Sequence, residues 1–261
     1  MTKMGFHCFH LVSQSPWPVV GSLSVGSGIV SVYLYLSGLL GGLTCSLVVM
    51  TVSLVMVQWW RDVSRESLLE GDHTIKVSNG LKLGMVMFIM SEVLFFFSFF
   101  FGFFFIELGP PVEYSLLWPP KGIQAVSWME APLLNTLILL SSGISITWAH
   151  HALLESHYFH ARSGMAMTVF LGLLFTWFQY EEYKECSFTI SDGFFGSIFF
   201  VGTGFHGIHV IIGSIFIVVS WVRMETMKVH ESGHTSFEMA AWYWHFVDVV
   251  WLFLFISMYY L

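Results

Sequence analysis

Few residues in this chain can do chemistry, and most of those stand inside apolar stretches. Glu92 sits in Ile89-Met90-Ser91-Glu92-Val93-Leu94-Phe95, and His206 and His209 sit in Gly202-Thr203-Gly204-Phe205-His206-Gly207-Ile208-His209. His245 and Asp248 belong to the segment Trp242-Tyr243-Trp244-His245-Phe246-Val247-Asp248-Val249-Val250-Trp251. An ionised acid at the centre of a bilayer costs about 2.5 to 3.5 kcal/mol. Glu92 is therefore expected to be protonated, hydrogen-bonded across helices, or beside water. Its work would be to hold or relay a proton; the plainer reading is a neutral interhelical hydrogen bond.

His206 and His209 are i and i+3 on one helix face, among small residues that permit close helix approach. A metal pair is one reading. A bis-histidine haem needs ligands from opposite sides of the iron, and a catalytic zinc or di-metal site needs a third ligand, such as Glu-x-x-His. No such set is evident, so buried hydrogen-bonded histidines are the alternative. His245 and Asp248 are also i and i+3, while Trp244, Asp248 and Trp251 follow i, i+4, i+7. That pattern predicts buried polar packing, with this face turned to protein rather than lipid.

The remaining polar clusters lie at helix ends. His150 and His151 are adjacent and point about 100° apart, which suits an interfacial position better than shared ligation. His157, His160 and Arg162 follow in the next loop, where a solvated or headgroup-contacting surface is expected. Gln58-Trp59-Trp60-Arg61-Asp62-Val63-Ser64-Arg65-Glu66-Ser67 combines an aromatic anchor with guanidinium groups that match phosphate geometry.

These residues must be positioned by membrane-spanning helices. Of 261 residues, 56% are hydrophobic, 18% aromatic and only 10% charged, which excludes an ordinary soluble domain and leaves no basic surface for nucleic acid. Apolar runs of spanning length occur at about 17–36, 39–60, 81–106, 132–154, 163–180, 193–222 and 237–260. The expected fold is an all-α integral membrane protein of seven transmembrane helices in one domain over 1–261. Within it, a hairpin of helices 1 and 2 covers 17–60, a polar connection 61–80, and a five-helix bundle 81–261. Ser37-Gly38-Leu39-Leu40-Gly41-Gly42 is the break between the first two helices.

The prolines fall outside the expected helix interiors, so the helices should be unbroken. Cys8, Cys45 and Cys186 are far apart and form no Cys-x-x-Cys pair, which indicates neither a disulfide framework nor a zinc knuckle. Across alternating loops, Lys3, Arg61, Arg65, Lys76, Lys82, Arg162, Arg223 and Lys228 fall on the N-terminal side, and Lys121 and Lys184 on the other. The positive-inside rule then places the N-terminus in the matrix or cytoplasm and the C-terminus in the opposite compartment.

Several blocks resemble the third subunit of mitochondrial-type cytochrome c oxidases. They are Ser15-Pro16-Trp17-Pro18, Gln58 to Val63 with Arg65-Glu66-Ser67, Ser91-Glu92-Val93-Leu94-Phe95-Phe96, Trp118-Pro119-Pro120, Pro132-Leu133-Leu134-Asn135-Thr136, Ser145 to His151, Phe188 to Gly193, Phe205 to His209, and Ala241 to Phe255. Their order and spacing cover essentially the whole chain. The presence of the first hairpin, with its Trp59-Trp60-Arg61 end, favours this form over bacterial quinol oxidase relatives, whose third subunit resembles only the last five helices.

The resemblance implies two helix groups, the first two and the last five, around a lipid-binding cleft. It implies no haem, copper or other metal in this chain, with haem and copper carried by partner subunits I and II, and bound phospholipids. The implied role is non-redox support of dioxygen reduction and proton pumping in the mitochondrial inner membrane, with the N-terminus in the matrix and the C-terminus in the intermembrane space. Further oxidase subunits are implied as partners, and no catalytic residue. By the same resemblance Trp60, Arg65, Glu66, His73, Phe88 and Arg223 are lipid-binding and Glu92 is the internal carboxylate. Asp72 stands where a second histidine is expected, Phe101 where a tryptophan is usual, and residues 112–117 match poorly. Two other classes are open to the residues alone: a transporter or channel relaying protons through Glu92, His206, His209 and Asp248, and a bis-histidine haem anchor. Unbroken helices and the absence of repeats argue against the first.

Overall fold

The computed structural model describes residues 8–110, 118–120, 122–227 and 235–260. Lys3, Lys121 and Lys228 from the loop-charge argument, and residues 112–117, lie outside them. The described helices are α1 (Trp17–Leu36), α2 (Gly42–Arg65), α3 (Ile75–Leu108), α4 (Ala131–Leu154), α5 (Tyr158–Glu185), α6 (Gly193–Met227) and α7 (Thr235–Leu254). Short π-helical turns extend α2 over Glu66–Glu70 and α7 over Phe255–Tyr260. Seven helices are long and apolar enough to cross a membrane, and no strand occurs among the described residues.

The chain divides into two compact units, one ending at Leu81 and one starting at Lys82. In the first, α1 and α2 run antiparallel. The buried positions of α1 are all small: Gly21, Ser24, Gly28 and Ser31. A Cβ on Gly21 would stand 3.0 Å from the Trp59 ring, and one on Gly28 would stand 3.3 Å from Val52. This stripe lets the two backbones approach closely, the packing available when lipid supplies no hydrophobic drive between helices. Ser24 and Ser31 turn their hydroxyls back onto the carbonyls of Gly21 and Gly28, so neither carries an unsatisfied donor into the seam. The turn closes with Gly38 at φ +72, where Leu39 N–H reaches Leu34 O at 2.8 Å and Gly38 N–H reaches Tyr35 O at 3.0 Å. This is a Schellman closure, which satisfies the last carbonyls of α1.

The polar connection expected over 61–80 is corrected. Residues 61–65 continue α2, Glu66–Glu70 form its π-helical turn, and α3 starts at Ile75, leaving only four residues outside helix. An apolar run marks the part of a helix that sits in hydrocarbon. A helix continues into the interface wherever its backbone bonds remain intact, so its ends lie beyond the run. For the same reason α5 spans Tyr158–Glu185 rather than 163–180, and His160 and Arg162 are helical instead of lying in a loop.

In the second unit, α4 and α5 pack antiparallel at their small residues. Gly164 lies against Ala149 and the carbonyl of Ser145, and Ser145 Oγ and Thr168 Oγ1 are hydrogen-bonded at 2.7 Å. Trp244 of α7 is the central wedge, with no exposed surface. A Cβ on Gly172 of α5 or Gly213 of α6 would collide with its indole, and its Nε1–H donates to Ser142 Oγ of α4 at 2.8 Å. Two glycines thus make the slot and a serine accepts the one polar hydrogen, which explains how so large a ring fits between helices. Two turns along, Trp251 donates to Thr136 Oγ1 at 3.0 Å and packs edge-on to Phe175.

Candidate functional site

Glu92 lies midway along α3, and His209 approaches it from α6. Glu92 Oε2 and His209 Nε2 are 3.0 Å apart, and His209 Nδ1 is 2.6 Å from the carbonyl of Phe205 one turn earlier. A carbonyl oxygen can only accept, so Nδ1 carries a hydrogen. That leaves Nε2 as an acceptor unless the ring is protonated. The Glu92 contact then requires one proton between the two groups, on the carboxyl or on the imidazole; without it two lone-pair donors would face each other. Phe96 and Tyr243 pack against the His209 ring, so the pair is enclosed by aromatic faces and His209 is largely buried.

His206, one turn away, is fully enclosed. Its Nε2–H donates to Val247 O of α7 at 3.2 Å, and its ring lies between Phe175 and Trp251. Nδ1 of His206 has no partner. The two histidines therefore turn to different neighbours, one to α3 and one to the α7 backbone. Among the described residues, no group of three or more His, Cys, Asp or Glu side chains is placed to hold a metal.

Asp248 is buried beside Trp244 and Trp251 on α7. His245, expected in the same buried group, is exposed. Positions i and i+3 differ by about 60° around a helix, so Asp248 falls within the packed face and His245 at its edge, where Nε2 meets Thr147 Oγ1 at 3.3 Å.

A second buried carboxyl was not singled out in the sequence. Glu182 of α5 accepts a hydrogen bond from Tyr259 Oη at 2.7 Å and one from Gln179 Nε2 at 3.2 Å, all three being buried. In Gln179-Tyr180-Glu181-Glu182-Tyr183-Lys184 the acid stands among other polar residues at the end of α5. The i, i+3 spacing of Gln179 and Glu182 was the available signal that one face turns inward.

The first unit holds four of the residues carried over by resemblance. Trp60 is exposed, and Arg65 is exposed and makes no ion pair among the described residues. Glu66 Oε2 pairs with His10 Nε2 at 3.3 Å, and the His10 ring packs edge-on to His73. Asp62 accepts the Trp17 indole N–H at 2.7 Å and the Arg61 guanidinium at 3.1 Å, which ties the start of α1 to the end of α2. In the second unit Phe88 stacks on Tyr243 at 6.2 Å, and Arg223 is half-buried near the end of α6. At the end of α5, outside the membrane-spanning segment, burial pushes the Cys186 thiol up to about 11, with the nearby Glu182 carboxylate adding to it.

A family profile described as cytochrome c oxidase subunit III matches residues 7–261. The chain belongs to the cytochrome c oxidase subunit III family. It is 51% identical over 259 residues to "Cytochrome c oxidase subunit 3" of Rhipicephalus sanguineus, covering 98% of this chain and 99% of that protein. It is 52% identical over 254 residues to the protein of the same name from Triticum aestivum, covering 97% and 96%. It is 51% identical over 256 residues to that of Ceratotherium simum, covering 97% of each. As a subunit III the chain is part of a membrane oxidase complex, and both compact units fall within the matched span. The Glu92–His209 pair is therefore a polar feature of an oxidase component rather than of an independent carrier.

Proposed function

We propose that this subunit III is a non-redox core component of a mitochondrial-type cytochrome c oxidase. It supports dioxygen reduction to water and coupled proton pumping, with electron transfer carried out at haem and copper in partner subunits I and II. Its membrane is the mitochondrial inner membrane, with the N-terminus in the matrix and the C-terminus in the intermembrane space. Support for the orientation comes from the alternation of helices along the chain, which assigns Arg61, Arg65, Lys76, Lys82, Arg162 and Arg223 to one side and Lys184 to the other.

The observation that carries the supporting role is the contact between Glu92 and His209, which needs one proton to exist. In a low-dielectric segment the neutral arrangement, with the Glu92 O–H donating to Nε2, avoids two buried charges. Such a pair holds a proton inside the subunit and stabilises proton uptake in subunit I. A second part of the role is phospholipid binding through Trp60, Arg65, Glu66 and His73, with Phe88 and Arg223 carried over by family resemblance. Arg65 is exposed without an ion pair among the described residues, so its fork is available to a phosphate. His206 packs against Trp251 and His209 against Phe96 and Tyr243, while Asp248 lies on the buried face of α7 with Trp244 and Trp251.

The test uses the assembled oxidase, comparing proton uptake and oxygen consumption with reduced cytochrome c. Glu92→Gln is expected to remove an infrared carbonyl signal of a protonated carboxyl. Glu92→Val and His209→Phe, which hold no shared proton, are expected to slow proton uptake. Unchanged uptake in both would defeat the proton-holding role while leaving the family membership intact. A haem absorption band in the separated chain would overturn the non-redox assignment.

A further inference from the structure

Asp248 has a neighbourhood that the packing of this chain leaves incomplete. Only 7% of the residue is exposed, and its Oδ1 is buried with no hydrogen-bond partner among the described residues. The carboxyl lies over Gly143 of α4, where an added Cβ would come within 2.7 Å of Oδ2. Gly143, Thr147, His245 and Asp248 form a polar strip along a groove of about 560 Å³ between α4 and α7. The flanks of this groove are apolar, with Ile144 72% exposed and Val249 50% exposed.

Three occupants could meet a bare carboxyl: water, a lipid headgroup, or a donor on another helix. Asp248 stands midway along Thr235–Tyr260, about 18–20 Å from either end of that span at 1.5 Å per residue. Headgroups lie about 15 Å from the centre of a hydrocarbon layer roughly 30 Å thick, out of reach of that depth. A water shared with Thr147 or His245 would leave the exposed apolar flanks wet, and an acyl chain would cover the flanks but has no donor. A transmembrane helix satisfies both requirements, because its side chains match the apolar walls and one N–H or O–H can reach the carboxyl. Gly143, lacking a Cβ, lets the Asp248 carboxyl lie against α4 in the groove floor.

We propose that the α4–α7 groove is the docking surface for a transmembrane helix of another oxidase subunit, one that presents a hydrogen-bond donor side chain to Asp248 at mid-membrane depth. The proposal rests on the family membership, which supplies the partner subunits, and is independent of the proton-holding role of Glu92. Asp248 is the hydrogen-bonding anchor, Thr147 and His245 offer further polar atoms one turn away, and Ile144 and Val249 form the apolar rim.

The experiment places a photoreactive benzophenone side chain at Ile144 or Val249 in the assembled oxidase and identifies the adducts by mass spectrometry. The expected result is attachment to a membrane-spanning peptide of another subunit, with Ser, Thr, Asn, Gln, His, Tyr or Trp within one turn of the attachment point. Adducts with lipid alone would overturn the proposal. In parallel, Asp248→Leu is expected to raise dissociation of this chain from the complex in mild detergent by roughly three- to eighteen-fold, the range carried by interhelical hydrogen bonds in membranes. Asp248→Asn, which keeps an acceptor oxygen, should stay near wild type. Circular dichroism of the separated Asp248→Leu chain checks that its helices persist, and unchanged retention with intact helices would also overturn the proposal.

Discussion

Replacing Gly164 with alanine tests the claim that small residues set the α4–α5 spacing. The added Cβ would stand 2.8 Å from Ala149 Cβ, 2.8 Å from the Ser145 carbonyl oxygen and 3.1 Å from Ala149 N. Carbon atoms prefer about 3.5–4.0 Å, so the helices must part by roughly 1 Å. Two of the three obstructing atoms are backbone, and the third is a methyl without a rotamer, so no side chain can swing aside. The Ser145–Thr168 hydrogen bond, one turn away at 2.7 Å, would be stretched by the same movement. Overpacking of this kind costs about 1–3 kcal/mol. The assay is unfolding of the separated chain by sodium dodecyl sulfate in mixed micelles, followed by circular dichroism. Gly207→Ala is the companion variant, because nothing lies within 4 Å of its added carbon; it should be neutral or gain up to about 1 kcal/mol from helix propensity. Equal effects of the two substitutions would refute the close-approach argument.

Trp251→Phe removes the donor to Thr136 and part of a buried ring, so the same titration should show a loss of about 1–3 kcal/mol, whereas Trp177→Phe, at an exposed position on α5, should change little. The Cys186 thiol, raised from 9.0 to about 11, stays protonated until pH approaches that value, so at pH 8 its thiolate fraction is about two powers of ten below that of an ordinary thiol. Maleimide labelling at pH 8 should accordingly be slower for Cys186 in the folded protein than after denaturation, and equal rates would contradict the burial. Arg65→Ala is expected to lower the phospholipid phosphorus that copurifies with the oxidase, with Arg65→Lys intermediate; an unchanged phosphorus content in Arg65→Ala would count against headgroup binding.

The apolar runs made the seven helices legible in the sequence, and Ser37-Gly38 marked the first turn because only a residue tolerant of positive φ closes it without strain. The ends were less legible. Arg61 to Glu70 and Lys76 to Gly80 are polar yet largely helical, since hydropathy reports which side chains meet hydrocarbon and not where backbone hydrogen bonding stops. Depth identified Glu92 as a group needing a partner, but His209 could not be chosen from the sequence because the two are 117 residues apart. Trp244 and Trp251 read as members of one face, while Ser142 and Thr136, which accept their indole hydrogens, looked like any other small residues of a spanning helix. His245 falls outside the packed face because a three-residue step stops about a sixth of a turn short of a full one. Glu182 was concealed by its exposed neighbours, which made an inward-facing acid look like a charged rim.

The two indole bonds from α7 to α4 have a mechanical consequence. Trp244 meets Ser142 and Trp251 meets Thr136, with Asp248 between the two attachment points along α7. Sliding or rotating α7 by one residue would break both bonds, so the helices are pinned in register like a beam bolted at two places. The carboxyl between the bolts keeps its orientation toward Gly143 before anything arrives. Assembly at that face then has little ordering entropy to lose in this chain, and binding strength depends on how well the incoming surface fits a rigid template.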